Sequence, residues 1–180
     1  AFFDPVPAAW RSLPQREMCI VGVLYTINQT GMTAYFVSYL NLELGLSLVA
    51  AGAMFAAAQL AGMVGRIVWG LCADLWVPPR TQLGMLGGLC GIAISMFSPA
   101  WPQGLMLAVG ALFGFTAVAW NGIFLAEVAR RSAGSDIGSM TAGVGVFNGL
   151  GALLGPALFS VLVSVSGVYA LGFAVLAAAP

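Results

Sequence analysis

Uncharged hydrogen-bonding side chains lie near the middle of several long apolar stretches of this chain. A phenol, indole or amide inside hydrocarbon needs a partner, so it faces protein or a water-filled cavity. Such groups donate and accept hydrogen bonds without net charge, and we expect them to bind a small polar or organic solute rather than to catalyse a reaction. The candidate cavity residues are Tyr25, Asn28, Gln29, Gln59, Trp120, Asn121 and Asn148.

A second interpretation stays open for the isolated amides. A single Asn or Gln in a membrane helix often only bridges two helices, and contributes about 1 kcal/mol. For the cluster 25–29 we favour a cavity, because helical spacing continues it through Met32 and Phe36 to Tyr39 as one stripe. The residues for which both interpretations stay open are Gln59, Asn121 and Asn148.

The composition excludes several classes of protein. The chain is 61% hydrophobic and 7% charged, with a mean hydropathy of +0.99, whereas soluble domains carry roughly a quarter charged residues. Lipid must therefore be part of its solvent. With no His and a net charge of zero, it lacks the basic surface that nucleic-acid binding needs.

The residue types present in the apolar stretches predict no cofactor, no metal and no enzymatic activity. A membrane-embedded enzyme would need paired carboxylates, His or reactive Cys within the membrane, and the spans lack them. The cysteines are far apart in apolar runs, without the spacing of metal ligands, and are interpreted as small buried hydrophobes. They are Cys19, Cys72 and Cys90.

The apolar runs predict an all-α integral membrane fold with six transmembrane helices. Residues 1–16 form an interfacial lead-in, and residues 17–180 form the membrane domain. The last run is too short to cross, and because the chain does not begin with Met we expect a fragment. The polar residues lie on spans one, two, four and five, a period of three helices that predicts a three-plus-three inverted repeat. The spans are about 17–42, 46–76, 81–97, 103–128, 137–165 and 168–180.

The arginines predict the orientation. The turns near Glu43, Trp101 and Gly167 contain none, whereas every arginine lies beside the alternate turns. By the positive-inside rule the arginine-bearing side is cytoplasmic, as expected for a protein of the bacterial plasma membrane. The arginines are Arg11, Arg16, Arg66, Arg80, Arg130 and Arg131.

Two further features are local. Asp74 is the sole acidic residue between Glu43 and Glu127, and it lies where an apolar helix leaves the membrane. Gly155 and Pro156 predict a bend in span five, because proline removes a backbone donor and clashes one turn back.

The stretch around Asp74 resembles the signature loop of the major facilitator superfamily. That pattern reads Gly-x-x-x-Asp-basic-x-Gly-x-basic-basic, and Gly70, Asp74 and Arg80 match it. Leu75, Val77 and Pro79 depart from it, which suits the weaker second copy of the loop. Together with the Gly65-Arg66 step, the Arg130-Arg131 turn and the Gly151-x-x-x-Gly155-Pro156 step, the resemblance covers nearly the whole chain as the C-terminal six-helix half of a twelve-helix transporter.

The resemblance implies transport by alternating access, with the missing N-terminal half, the lipid bilayer, a solute and a coupling proton or ion as partners. It implies that Asp74 accepts hydrogen bonds from a helix N-terminus and pairs with Arg80 or Arg130 in a conformational latch when the cytoplasmic side is closed. The alternative is that Asp74 only caps its helix. The alternative function is a non-transporting membrane scaffold, which predicts no preference of polar residues among spans.

Overall fold

The computed structural model describes Pro7, Trp10 and residues 13–96, 101–132, 137–169, 171, 172 and 175. Within them the regular structure is helical, without strands, which confirms the all-helical prediction. Most of the predicted lead-in and of the sixth span lies outside the described residues. The helices are α1 (Leu13–Leu42), α2 (Leu48–Leu75), α3 (Pro79–Ser95), α4 (Gln103–Ala117), α5 (Trp120–Arg131) and α6 (Ile137–Ser166).

The turns between the first three helices follow from local sequence. After α1 the chain reverses at Gly45, whose φ of 68° favours glycine. The side chain of Ser47 then caps α2 by accepting a hydrogen bond from the Ala50 amide at 3.2 Å. α2 ends where the Trp76 amide bonds the carbonyl of Cys72, and Pro79 occupies the first position of α3, where a missing N–H costs nothing.

Three stretches are long and apolar enough to cross a membrane, namely α2, α6 and residues 103–131, which combine α4 and α5. α1 has 30 residues with a polar middle, and α3 has 17. These helices support an integral membrane protein. The arrangement of six spans as an inverted repeat remains a prediction.

Two helix pairs form the centre of the bundle, with α1 packed along α6 and α2 along α4, while α3 lies against α4 and α5. Glycine permits the close approach in each pair. A Cβ at Gly114 would collide with the backbone of Ala58, and one at Gly151 would lie 2.8 Å from the carbonyl oxygen of Val23. Small residues of this kind let membrane helices approach backbone to backbone.

Aromatic side chains pack both within and between the pairs. The ring of Phe36 on α1 stacks on Phe113 of α4, with centroids 5.2 Å apart, and Tyr35 stacks on Phe159 of α6 at 4.6 Å. A second buried cluster, nearer the arginine-bearing ends, includes Trp120 of α5. Aromatic contacts thus join α1 to α6, its partner in one pair, and to α4 of the other pair.

Candidate solute-binding site

The fourth apolar stretch is interrupted at Val118 and Ala119. Both residues keep right-handed backbone angles, with φ of −102° and −79°, but the α-helix restarts only at Trp120. Side chains of α2 donate to carbonyls beside the interruption: Arg66 Nε to Val118 at 3.2 Å and Trp69 Nε1 to Phe115 at 3.1 Å. In a membrane, a backbone carbonyl without a partner in its own helix needs such a donor.

The side chain of Gln29 joins α1 to the first turn of α5. Its Oε1 accepts a hydrogen bond from Trp120 Nε1 at 2.8 Å and another from Asn121 Nδ2 at 3.1 Å. The Trp120 side chain is fully buried. The amide oxygen of Gln29 thus accepts hydrogen bonds from the two residues that come directly after the interruption.

Tyr25, one turn before Gln29, extends this contact to α3. Its ring stacks on Trp120 with centroids 5.0 Å apart and 28° between the planes, and its hydroxyl donates to the carbonyl oxygen of Leu83. Three helices therefore meet at four of the seven predicted cavity residues. We call this group the polar junction; it comprises Tyr25, Gln29, Trp120 and Asn121.

The other three predicted cavity residues lie apart from these hydrogen bonds. Asn28 is buried on α1, and Gln59 is half-buried on α2. Asn148 is half-buried on α6, with its Oδ1 beside Gly22 of α1. That Oδ1 is buried and has no hydrogen-bond partner among the described residues, so Asn148 has an unused acceptor.

A cavity of about 380 Å³ lies beside Tyr25, between α1, α3 and α5. Its wall near the polar junction is formed by Tyr25 and Leu83, and the end away from the junction carries charge. The charged lining residues are Glu17, Arg80, Glu127 and Arg131.

Glu127 is an ion-pair centre that the sequence analysis missed. Its carboxylate is 1% exposed and accepts from Arg130 Nη2 at 2.6 Å and from Arg131 Nε at 2.6 Å. Arg131 also reaches the Glu17 carboxylate at 3.3 Å and the carbonyl oxygen of Pro14 at 3.2 Å. The signal was present as i,i+3 and i,i+4 spacing on the last turn of α5.

The residues predicted for the latch are placed differently from one another. Arg130 pairs with Glu127. Asp74 is exposed near the end of α2, and no hydrogen bond or ion pair of its carboxylate occurs within the described part of the chain. Gly70 is half-buried on α2, and Arg80 is exposed at the start of α3.

The predicted bend lies within a helix that continues to Ser166. Pro156 is inside α6, and Gly155 packs against α1, where a Cβ would collide with Thr30 Oγ1. The neighbouring Thr30 hydroxyl donates to the carbonyl of Thr26 at 2.7 Å. Gly155 therefore serves close packing at this level of the bundle.

We expect Glu127→Gln to lower the free energy of unfolding by about 2 kcal/mol, because the buried side chain loses its charge and keeps one neutral acceptor for the three hydrogen bonds from Arg130 and Arg131. Glu17→Gln is the matched control, since its carboxylate is 53% exposed with one long contact, and should cost less than about 1 kcal/mol. Thermal unfolding of the purified protein in detergent measures both. Equal effects would contradict the special role of Glu127.

No protein-family model matches the chain, and no solved structure matches it significantly. The chain is 32% identical over 143 residues to proteins named "Probable nitrate/nitrite transporter NarK2" from Mycobacterium tuberculosis, strains CDC 1551 / Oshkosh and ATCC 25618 / H37Rv. The matched part is 76% of this chain and 35% of each relative, so the chain spans about a third of their length. It is thus an integral membrane protein that is similar in sequence to part of a transporter.

Proposed function

We propose that this chain is the C-terminal six-helix half of a secondary transporter of the major facilitator superfamily, which moves a small solute by alternating access. Three observations support the proposal: the match to transporters, the signature-loop residues Gly70, Asp74 and Arg80, and helices long enough to span a membrane. The observation that carries it is the polar junction, because its hydrogen-bonding groups lie at the meeting point of three helices.

The junction offers exchangeable hydrogen bonds. Trp120 and Asn121 both donate to one oxygen of Gln29, so a solute acceptor that takes over the Asn121 donor still leaves Gln29 bonded to Trp120. Exchange of this kind avoids a bare polar group in hydrocarbon. Solute binding at the junction therefore changes the contact between α1 and α5 at low energetic cost.

We further propose that the solute is a small oxyanion, since the relatives are named as probable nitrate/nitrite transporters. The countercharge is Arg66, whose Nε bonds the carbonyl of Val118, two residues before Trp120. Guanidinium has five N–H donors in a planar fork that matches planar oxyanions, and this contact occupies one of them. The sequence analysis predicted a small polar or organic solute, and in this proposal Arg66 provides the positive charge that an anionic solute needs.

The arginine-bearing turns lie on the cytoplasmic side of a bacterial plasma membrane in this proposal, as the positive-inside rule predicts. At that side Asp74 has no partner in the described residues, so its carboxylate is available to accept hydrogen bonds from a helix N-terminus of the other half. Arg80, at the start of the next helix, is the nearby cation of the latch.

We expect Gln29→Ala and Asn121→Ala each to reduce nitrate or nitrite uptake at least about tenfold in liposomes that contain the full-length protein, because each removes a charge-free binding group worth roughly 1.4 kcal/mol or more. Gln103→Ala removes an exposed amide at the start of α4 and should leave uptake unchanged. Full uptake by the Gln29 and Asn121 variants for every solute tested would show that the junction does not bind the solute.

Arg66→Gln tests the class of solute. We expect nitrate binding by the purified full-length protein, measured by titration calorimetry, to weaken at least about tenfold, because a charge-assisted contact is lost. Arg16→Gln removes a cation directed at Trp10, away from the junction, and should retain the wild-type affinity. If Arg66→Gln binds nitrate normally, the oxyanion assignment fails while transport of another solute stays open to test.

Asp74→Asn tests the latch. We expect turnover in liposomes to fall severalfold while the solute dissociation constant changes less than about twofold, because the carboxylate acts on the closed conformation and not on the solute. Counterflow and equilibrium binding separate the two quantities. Unaltered turnover would show that Asp74 only ends its helix.

A further inference from the structure

Glu43 directly follows α1, at the end of the bundle opposite the arginines, and the proposed transport cycle does not use it. Its side chain is half-buried, and its carboxylate accepts a hydrogen bond from the backbone amide of Tyr169. The two residues are 126 positions apart in the chain. This bond therefore joins the end of α1 to the segment that follows α6.

The turn after α6 determines where that amide lies. The amide of Gly167 bonds a carbonyl in the last turn of α6 at 2.8 Å, and its φ of 70° favours glycine. The chain reverses there, and the ring of Tyr169 packs against Tyr35 of α1 and Phe159 of α6, with centroids 6.4 and 6.1 Å apart. Glu43 thus holds a turn that contacts both helices of the α1–α6 pair.

No other charged side chain occurs in the segments that form this end of the bundle. Glu43 is the only charged residue within residues 31–65, 81–126 and 137–180. The titratable groups around it are phenols from α1 and from the segment after α6, since α6 and the outer part of α2 contain no titratable residue. These phenols belong to Tyr35, Tyr39 and Tyr169. The ionised carboxylate is thus stabilised by hydrogen-bond donors, because these segments offer it no cation.

The position of Glu43 makes its charge dependent on the contact with Tyr169. It lies at the C-terminal end of α1, where the helix dipole disfavours a negative charge. The Tyr169 amide favours that charge, because an N–H group bonds a carboxylate more strongly than a neutral carboxyl. Ionised Glu43 therefore binds the turn after α6 more strongly than protonated Glu43 does.

We propose that Glu43 is a proton-binding site, and that protonation of its carboxylate releases the turn after α6 from α1. By linkage, a contact that favours the ionised form is present at neutral pH and is lost as the pH falls. This end of the bundle is extracellular in the proposed transporter, so the side from which the proton arrives rests on the proposed function. The proton and the solute then bind to the same helix, because α1 also carries Gln29 of the polar junction.

Hydrogen–deuterium exchange of the purified full-length protein in lipid nanodiscs tests the proposal. The quantity measured is the protection of the Tyr169 amide, resolved by electron-transfer fragmentation and corrected for the intrinsic exchange rate at each pH. We expect protection to fall about tenfold between about pH 7.5 and about pH 5, as one charge-assisted hydrogen bond is lost. Glu43→Gln should show the low protection at both pH values, because its amide is a neutral acceptor at both.

Matched variants identify the group that binds the proton. Glu17→Gln removes a carboxylate that is 53% exposed near the opposite end of α1, and it should keep the pH response. Tyr39→Phe and Tyr169→Phe remove the neighbouring phenols but leave every backbone amide in place, so both variants should also keep the response.

Three results would overturn the proposal. Equal protection of the Tyr169 amide at both pH values in the wild type would show that protonation does not release the turn. A pH response that persists in Glu43→Gln would assign the proton to another group. A response that disappears in Tyr39→Phe would assign it to that phenol. The exchange measurement does not depend on solute uptake, so a failure of the proposed transport activity would leave these results unchanged.

Discussion

The satisfaction of polar groups inside an apolar bundle is the constraint on which this structure depends. Gln29 Oε1 meets it by accepting from two donors on another helix. Backbone carbonyls beside the interruption at Val118 also need hydrogen-bond partners, and the side chains of Arg66 and Trp69 donate to them. In a medium without water these bonds have few alternatives, so they determine which faces of α1, α2 and α5 meet.

Much of the architecture could be predicted from sequence because hydrophobicity is a strong signal over long stretches. Apolar runs place a helix near each of the first five predicted spans, and Gly45 and Pro79 lie where helices end or begin. The interruption at Val118 and Ala119 could not be predicted, because no glycine or proline marks it. The donors beside it come from α2, which is distant in sequence.

The candidate site, like the fold, could be predicted from the sequence only in part. A rule that amides in hydrocarbon need partners selected Gln29 and Asn121, and the structure joins them. The rule does not specify which partner a polar group has. It therefore could not show that Trp120 belongs to the junction and that Gln59 lies apart from it. Glu127 was missed because a carboxylate near the end of a span resembles an ordinary interfacial charge until its burial is known.

The attachment of α5 to α1 at both ends has a mechanical consequence. The first turn of α5 is held by Gln29, and its last turn by the Arg131–Glu17 and Arg131–Pro14 contacts. The segment has 12 residues and spans about 18 Å. A helix that is held at both ends has little freedom to rotate about its own axis, so a displacement of one end also moves the other. The contacts at its two ends therefore oppose rotation of α5 about its own axis relative to α1.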